Sequence, residues 1–335
     1  MRRVDNWLQF LNLSWPGWTV TTQETKMFRM PRTLSFALAI AGAALASQAM
    51  PSAAAAEIVV KHSKGETTLP STPAKVLVFD MASLDTLHAL GVEVDGVPSG
   101  AKPDYLSKYS GSDVLNIGSL FEPDYEAVSG ARPDLIIVGG RSSAKFEDLA
   151  KIAPTIDMTI DPTKYVESAK TNVETLAEIF GKQAEAGAAL QKLDASVSAL
   201  KEKAASAGKG LLILTTGGKM STYGAGSRFG MLFTDYGVQQ ADENIKVGQH
   251  GQPISFEYIL ERNPDWLFVI DRDAAIGREG QAAAEFLDNE IVAQTTAWKE
   301  GQVVYLDATA WYLVGGGLTA MQNTVNQLTG AFDAK

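Results

Sequence analysis

The chain has 335 residues, 45% hydrophobic and 20% charged, a balance that excludes a disordered protein and gives room for two domains. Its formal net charge is −10 and it contains no cysteine. Disulfides, a thiol nucleophile and a lipid-modified N-terminal cysteine are thereby excluded, and nucleic acid and anionic membrane are poor partners for so acidic a surface.

The first recognisable segment is a targeting signal. Arg29 and Arg32 precede an apolar run from Leu34 to Ala46, and small residues continue to Ala56. A basic start, a short apolar run and an Ala-x-Ala end read as a secretory signal peptide, cut before Glu57, with Ala49 the alternative end. The run is shorter than the roughly 20 residues of a membrane span. Residues 1–26 read as an extension from a mis-assigned start, with Met27 or Met30 the true first residue. Residues 1–56 carry five basic and two acidic residues, so the mature chain has a net charge near −13. A soluble protein without an anchor is retained in a Gram-negative periplasm, which is the expected compartment.

From Glu57, β-branched Ile58-Val59-Val60, a turn at Gly65 and Thr67-Thr68-Leu69 predict a hairpin. Val76–Phe79 is a buried strand, Ser83–Leu90 a helix stopped by Gly91, and Tyr125–Gly130 a helical turn leading into the strand Leu135–Val138. Phe146–Ile152 is a short helix and Thr155–Thr159 a strand. Strands alternating with short helices predict α/β units with parallel-type sheets. The middle differs. Val166, Ala169, Val173, Leu176 and Phe180 mark an amphipathic helix over 165–180. After Gly181, Leu190, Leu193, Val197 and Leu200 form one stripe of a second helix over 183–206, roughly 36 Å long at 1.5 Å per residue. Strands resume at Leu211–Thr215, Trp266–Ile270 and Val303–Leu306, and a helix runs from Leu318 to Phe332.

A repeat organises this pattern. Glu126, Pro133-Asp134 and Arg141 recur as Glu257, Pro264-Asp265 and Arg272, seven and eight residues apart in both places. Each copy reads as a short helix, a Pro-Asp turn and a buried strand with an arginine at its end. A unit recurring in register suggests a duplicated lobe. The expected architecture is therefore α/β, with two Rossmann-like lobes over 57–181 and 208–335 joined by one long helix over 182–207. Ligands favour the cleft between such lobes and the carboxyl ends of their strands. A single helical crossing bends less readily than paired strands, which predicts modest closure.

No GxSxG, GxxxxGK[ST] or HExxH motif occurs, and only His62, His88 and His250 are present. His62 falls in the hairpin and His88 in an apolar helix, with no acid partner nearby in sequence. His250 sits in the polar glycine-rich loop Val247–Pro253, just before the second repeat; it is either a solvated loop residue or a nitrogen ligand. Tyr312 follows a strand and precedes Gly315-Gly316-Gly317. It is either a core aromatic beside Trp311 or a phenolate for a hard trivalent metal, its pKa lowered from near 10 by cations. Arg228 lies in the loop Thr222–Gly230, which also carries Tyr223. Arg141, Arg228 and Arg272 at strand ends suggest an anion site in which guanidinium forks also stack on aromatic rings. Glu126 and Glu257 open their helices, as caps or as a matched pair for a basic partner.

Together these segments resemble the periplasmic binding proteins of ferric-siderophore ABC importers, closest to the catecholate subgroup. The resemblance spans the mature chain and rests on Gly-Gly-Arg141 with Phe146–Pro154, Gly-x-Gly-Ser-Arg228-Phe-Gly, Gly-x-His250-Gly, Ser-Phe-Glu257, Asp271-Arg272 and Asp307-x-x-x-Trp-Tyr312-Leu. It implies two lobes around a shallow cleft, a ferric siderophore as ligand and no intrinsic cofactor. By this likeness, His250 and Tyr312 complete the Fe3+ coordination of tetradentate catecholates, and Arg141, Arg228 and Arg272 bind catecholate oxygens. Tyr223 and Trp311 are counted with the ligand-binding residues, and Glu126 and Glu257 are expected to meet arginines of an inner-membrane ABC permease. The chain is expected to act as a monomer and not as an enzyme. A haem or cobalamin carrier of the same architecture is the nearest rival, followed by a zinc or manganese carrier. A secreted enzyme using an Asp/Glu acid–base pair belongs to another class.

Overall fold

The computed structural model describes residues 57–248 and 250–335. The signal and the extension expected over 1–56 lie outside them.

Strands β1 (Ile58–His62) and β2 (Gly65–Leu69) form the expected hairpin, but it turns at Ser63-Lys64, and Gly65 begins β2 opposite His62. A first sheet follows, built from β3 (Val76–Val78), β4 (Gly96–Val97), β5 (Leu115–Asn116), β6 (Leu135–Val138) and β7 (Thr155–Asp157). Its order is β5-β4-β3-β6-β7, and every pair is parallel. The crossovers carry α1 (Met81–Ala89), α2 (Tyr125–Ala131) and α3 (Phe146–Leu149). Two longer helices come next, α4 (Tyr165–Phe180) and α5 (Gln183–Ala207), broken at Gly181, which takes the left-handed cap at φ 65°.

The second sheet comprises β8 (Lys209–Thr216), β9 (Lys219–Thr222), β10 (Gln239–Gln240), β11 (Gln252–Ile254), β12 (Trp266–Asp271) and β13 (Val303–Tyr305). Around it lie the short helices α6 (Met231–Thr234), α7 (Phe256–Arg262), α8 (Arg272–Ala275), α9 (Ala283–Leu287), α10 (Thr296–Lys299) and α11 (Ala308–Tyr312), then the long α12 (Leu318–Asp333). Strands β10, β12 and β13 join β8's side of the sheet in parallel, but β9 is antiparallel to β8, and β11 to β9. The mixed character comes from Gly217 and Gly218. Both have positive φ, 53° and 69°, the demand of a two-residue hairpin turn, and Thr216 pairs directly with Lys219 across them.

The repeat is a backbone identity. Helix α2 ends through Arg132 at φ 49°, and α7 through Asn263 at φ 39°; these are the only non-glycine residues of positive φ among those described. Each immediately precedes the repeat's proline, which disfavours the right-handed helical region for its neighbour, so the helix must stop there. The following aspartates then fasten the entry to the neighbouring strand of the sheet, β3 in one copy and β8 in the other. Asp134 accepts from the amides of Ala74 and Lys75 at 3.0 and 2.7 Å, and Asp265 from that of Lys209 at 2.7 Å.

The apolar clusters do not respect a division at 181 and 208. The predicted stripe of α5 is buried together with Val173 of α4, Leu212 and Phe268 of the second sheet, and Leu328 of α12. Conversely, Ala310, Val314 and Ala320 from the end of the chain pack with Val78 and Ile137 of the first sheet and Leu84 of α1. The chain thus crosses once through α5 and returns as a packed segment after Tyr312. Each glycine of that segment meets the first half. A Cβ on Gly315 would fall 2.6 Å from the Tyr165 hydroxyl, one on Gly316 (φ 91°) 2.0 Å from Ile160, and one on Gly317 2.5 Å from Asp85.

Asp85, buried on α1, closes this seam by capping a helix from the other end of the chain. Its carboxyl accepts from the amides of Thr319 and Ala320 at 2.7 and 3.1 Å and from the Tyr105 hydroxyl at 2.5 Å, while Thr86 takes the Leu318 amide. A helix begins with unpaired N–H groups, and Gly317 has no side chain to satisfy them. Burial pushes the Asp85 carboxyl up from its ordinary 3.8 to about 6, although these bonds pull it down. The folded protein therefore holds this proton more tightly than the unfolded chain. The contribution is fully present below about pH 3.8 and is lost as pH rises through about 6. Relative to Asp85→Asn, the parent should lose on the order of 2–3 kcal/mol of stability between about pH 3.5 and pH 7. Denaturant unfolding of both proteins at several pH values measures it, and a difference independent of pH would refute the assignment.

Candidate functional site

A cavity of about 810 Å³ lies where the two halves meet. The first half brings Arg141 to it. Strand β6 ends at Val138, and Gly139 and Gly140 turn the chain. A Cβ on Gly139 would press against Asp80 at 2.9 Å, and the buried Ser142 hydroxyl accepts from the Gly139 amide at 3.1 Å. Thr159, whose hydroxyl donates to Asp157, accepts from the Gly140 amide at 2.9 Å. The second half brings Arg228 on a tightly coiled loop. Within it the Ser227 hydroxyl donates to the Gly224 carbonyl at 2.6 Å, and a Cβ on Gly230 would collide with backbone at 2.7 Å. Arg272 opens α8 directly after β12, and Tyr312 closes α11, whose N-terminus Asp307 caps.

All three arginines converge on Tyr312. Arg141 Nη2 and Arg228 Nη2 each donate to the Tyr312 backbone carbonyl at 2.6 Å, and Arg272 Nε donates to the Tyr312 hydroxyl at 2.8 Å. The guanidinium carbons stand 4.9, 4.4 and 5.5 Å from the ring centroid, within cation–π range. Burial alone would raise the phenol's pKa. The Arg272 hydrogen bond and the charges of all three arginines outweigh it and hold Tyr312 below its ordinary value of 10. Burial, and then the neighbouring Arg228, push Arg141 down to about 10. Asp80 lies beneath Arg141. Burial raises its carboxyl against two bonds from Ser83, at 2.8 and 2.7 Å, and the pull of Arg141.

Arg141, Arg228, His250, Trp311 and Tyr312 line the cavity, as expected of ligand-contacting groups. Arg272 does not: it reaches the site through the Tyr312 hydroxyl, and Thr216 accepts from it on the other side at 3.1 Å. Tyr223 does not line the cavity either. It follows β9 and is buried at 5% exposure with its ring edge-on to Phe229 at 4.9 Å. Trp311 is buried, with its indole Nε1 lacking a partner, and serves as wall. His250 is exposed, and so are Glu126 and Glu257, in the first turns of the equivalent helices α2 and α7.

Two residues missed in the sequence rim the opening. Phe121 and Val247 are 59% and 66% exposed and line the cavity from opposite halves. Neither lies in a periodic segment, so nothing in the sequence separates them from ordinary loop apolars.

The chemistry of this arrangement is specific. Three fixed cations and an acidified phenol favour an anion rich in oxygen, and the phenol oxygen with the imidazole of His250 suits a hard, high-valent metal within it. Among the described residues no group of three or more His, Cys, Asp or Glu could hold a metal ion.

The chain is 43% identical over 277 residues to the petrobactin-binding protein of Bacillus subtilis, covering 81% of this chain and 87% of that one. It is 34% identical over 277 residues to the ferric-anguibactin-binding protein of Vibrio anguillarum, covering 81% and 86%. The crystal structure of the B. subtilis petrobactin-binding protein superposes with a TM-score of 0.81 at 41% identity, covering 84% of this chain and 100% of the other. That of the periplasmic catecholate-siderophore binding protein of Vibrio cholerae gives 0.79 at 34% identity, covering 82% and 100%. The sequence profile described as periplasmic binding protein matches residues 76–310, and the chain belongs to that family.

Proposed function

We propose that the protein captures a ferric siderophore with catecholate arms in the cavity between its halves and presents it to the permease of an ABC importer for iron uptake. The observation that carries this reading is the convergence of Arg141, Arg228 and Arg272 on Tyr312 beside a cavity that also exposes His250. The relatives that bind petrobactin, ferric anguibactin and catecholate siderophores support the same ligand class. The protein is a carrier and not an enzyme in this reading, and works as a monomer in the periplasm. Its lobes are 57–181 and 208–335, with 182–207 as the link.

Charge explains the fit. A ferric bis-catecholate carries one net negative charge and leaves two iron positions open. The Tyr312 oxygen and a His250 nitrogen fill them. Arg141 and Arg228, which share one backbone carbonyl here, turn to the catecholate oxygens, where charge-assisted bonds in a partly dry site are stronger than in water. Arg272 stays with the Tyr312 hydroxyl and balances the phenolate. A tris-catecholate has no open position, so His250 and Tyr312 must stand aside for it. Phe121 and Val247 close over the organic backbone of the ligand.

Titration with a ferric bis-catecholate, followed in the visible charge-transfer band, tests direct ligation. The band should shift on binding, and His250→Ala and Tyr312→Phe should each abolish part of the shift and weaken binding by about tenfold or more, or about 1.4 kcal/mol. A band that both variants leave unchanged would defeat ligation, and haemin or cobalamin binding in preference would replace the ligand class.

Arg141→Ala or Arg228→Ala should weaken the complex by about 2–5 kcal/mol, since each leaves buried ligand charge unpaired. Lysine should not restore it, because an ammonium cannot reproduce the guanidinium fork. Calorimetry decides both points.

Exposed on matching helices, Glu126 and Glu257 are the docking pair. Glu126→Ala with Glu257→Ala should leave siderophore affinity unchanged and lower uptake in cells carrying the importer; uptake at parental rate would exclude them.

A further inference from the structure

His250 is exposed, yet its loop is fixed at both ends. At the start, Asp242 is buried beneath α7 and accepts from the Tyr258 hydroxyl and Arg262 Nε, each at 2.6 Å. Three residues later Ile245 is buried in the apolar cluster of the second sheet. At the end, Gly251 has a φ of 70° and sits so close to the chain below that a Cβ would fall 2.8 Å from the Thr222 carbonyl and 2.8 Å from the Tyr223 ring. The next residue, Gln252, pairs with Thr222 and also accepts from the Lys246 amide at 3.0 Å. Val247, Gly248 and His250 are the described residues between these fixings.

The floor under Gly251 leads to the other end of the site. Tyr223 packs edge-on against Phe229 at 4.9 Å between ring centroids, and Phe229 lies 6.5 Å from the Tyr312 ring. Both Tyr223 and Phe229 are buried. A packed interior yields little to small forces, so a line of contact runs from the residue after His250, through two buried rings, to Tyr312.

We infer that Tyr223 and Asp242 are positioning residues that set the reach of His250 relative to Tyr312. The inference rests on the proposed ligation of iron by His250 and Tyr312. A chelate with two adjacent open positions gains from both donors only when they are held at one separation; a closed, hexadentate chelate uses neither and gains nothing from it. The ratio of the two affinities therefore reads the positioning, whereas general damage to the fold weakens both chelates together.

The test compares a ferric bis-catecholate with a ferric tris-catecholate on the intact protein, by fluorescence quenching and by the charge-transfer band. Four variants are used: Gly251→Ala, which lifts the loop off Tyr223; Asp242→Asn and the milder Tyr258→Phe, which loosen its start; and His250→Ala as reference. Gly251→Ala and Asp242→Asn should weaken the bis-catecholate complex by about tenfold and the tris-catecholate complex by less than about twofold, with the bis-catecholate band moving toward that of the free chelate. Tyr258→Phe, which keeps the Arg262 bond, should change the ratio in the same direction by a smaller factor, and it decides the matter should Asp242→Asn fail to fold. Equal weakening of both chelates, or an unchanged ratio in variants that fold while His250→Ala collapses it, overturns the positioning role alone. An unchanged ratio in His250→Ala itself overturns the ligation reading and this inference with it.

Discussion

Three guanidinium groups gathered around one phenol repel one another, and the surrounding structure is organised to hold them there. Arg141 and Arg228 share the Tyr312 carbonyl, so one backbone dipole carries two cations. Arg272 takes the hydroxyl and leans on Thr216, which itself donates to the buried Asp273 at 3.0 Å. Asp80 supplies the counter-charge under Arg141. Arg272 also lies 3.9 Å from the Asp273 carboxylate, whereas Arg141 and Arg228 have no such carboxylate partner among the described residues. Arg141 and Arg228 are held by bonds to a neutral carbonyl, weaker than bonds to a carboxylate, and remain free to exchange them for anionic oxygens.

Tyr312 can play this part because the chain beyond it is anchored in the other half. Gly315, Gly316 and Gly317 lie against Tyr165, Ile160 and Asp85, and Val314 and Ala320 complete the first sheet's core. One helical crossing was the expectation, and α5 is that crossing in the chain; the return of the C-terminal segment adds a second tie. Opening the cavity widely would tear Val314 out of an apolar cluster and strip the cap from α12. Both costs argue for a small motion about the cavity, for a stronger reason than the stiffness of one helix.

Much of this was legible in the sequence, and the failures have physical causes. The repeat could be read because its landmarks have backbone duties: a proline that ends a helix, an aspartate that holds a strand, an arginine where the strand stops. Arg141, Arg228 and His250 could be singled out because loops after strands have few structural reasons to carry them, and all three line the cavity together with Tyr312 at the end of α11. Tyr223 was misplaced because a tyrosine at the start of a glycine loop looks like a ligand contact, and only its packing against Phe229 shows that it is buried. The Gly217-Gly218 hairpin was readable from its glycine pair but was absorbed into the expectation of parallel strands. The Asp85 cap was beyond reach. It joins residues more than 230 positions apart, and an aspartate inside a short helix carries no sign of the helix it will cap.

The duplicated unit also couples the two ends of the site. In each copy the glutamate stands at the start of the helix and the arginine at the far end of the strand, with a left-handed cap and a Pro-Asp turn between them. Helix, turn and strand leave little internal freedom, since the cap sets the helix end and the aspartate sets the strand start. A shift of one half about the cavity therefore carries its arginine and its glutamate as one body. In the proposed function, the spacing of Glu126 and Glu257 on the outside then reports the separation of Arg141 and Arg272 on the inside, without any signal passing through the core. A permease that measures the first reads the occupancy of the second, and the modest closure that the C-terminal seam permits is enough, because docked ion pairs depend steeply on position at short range.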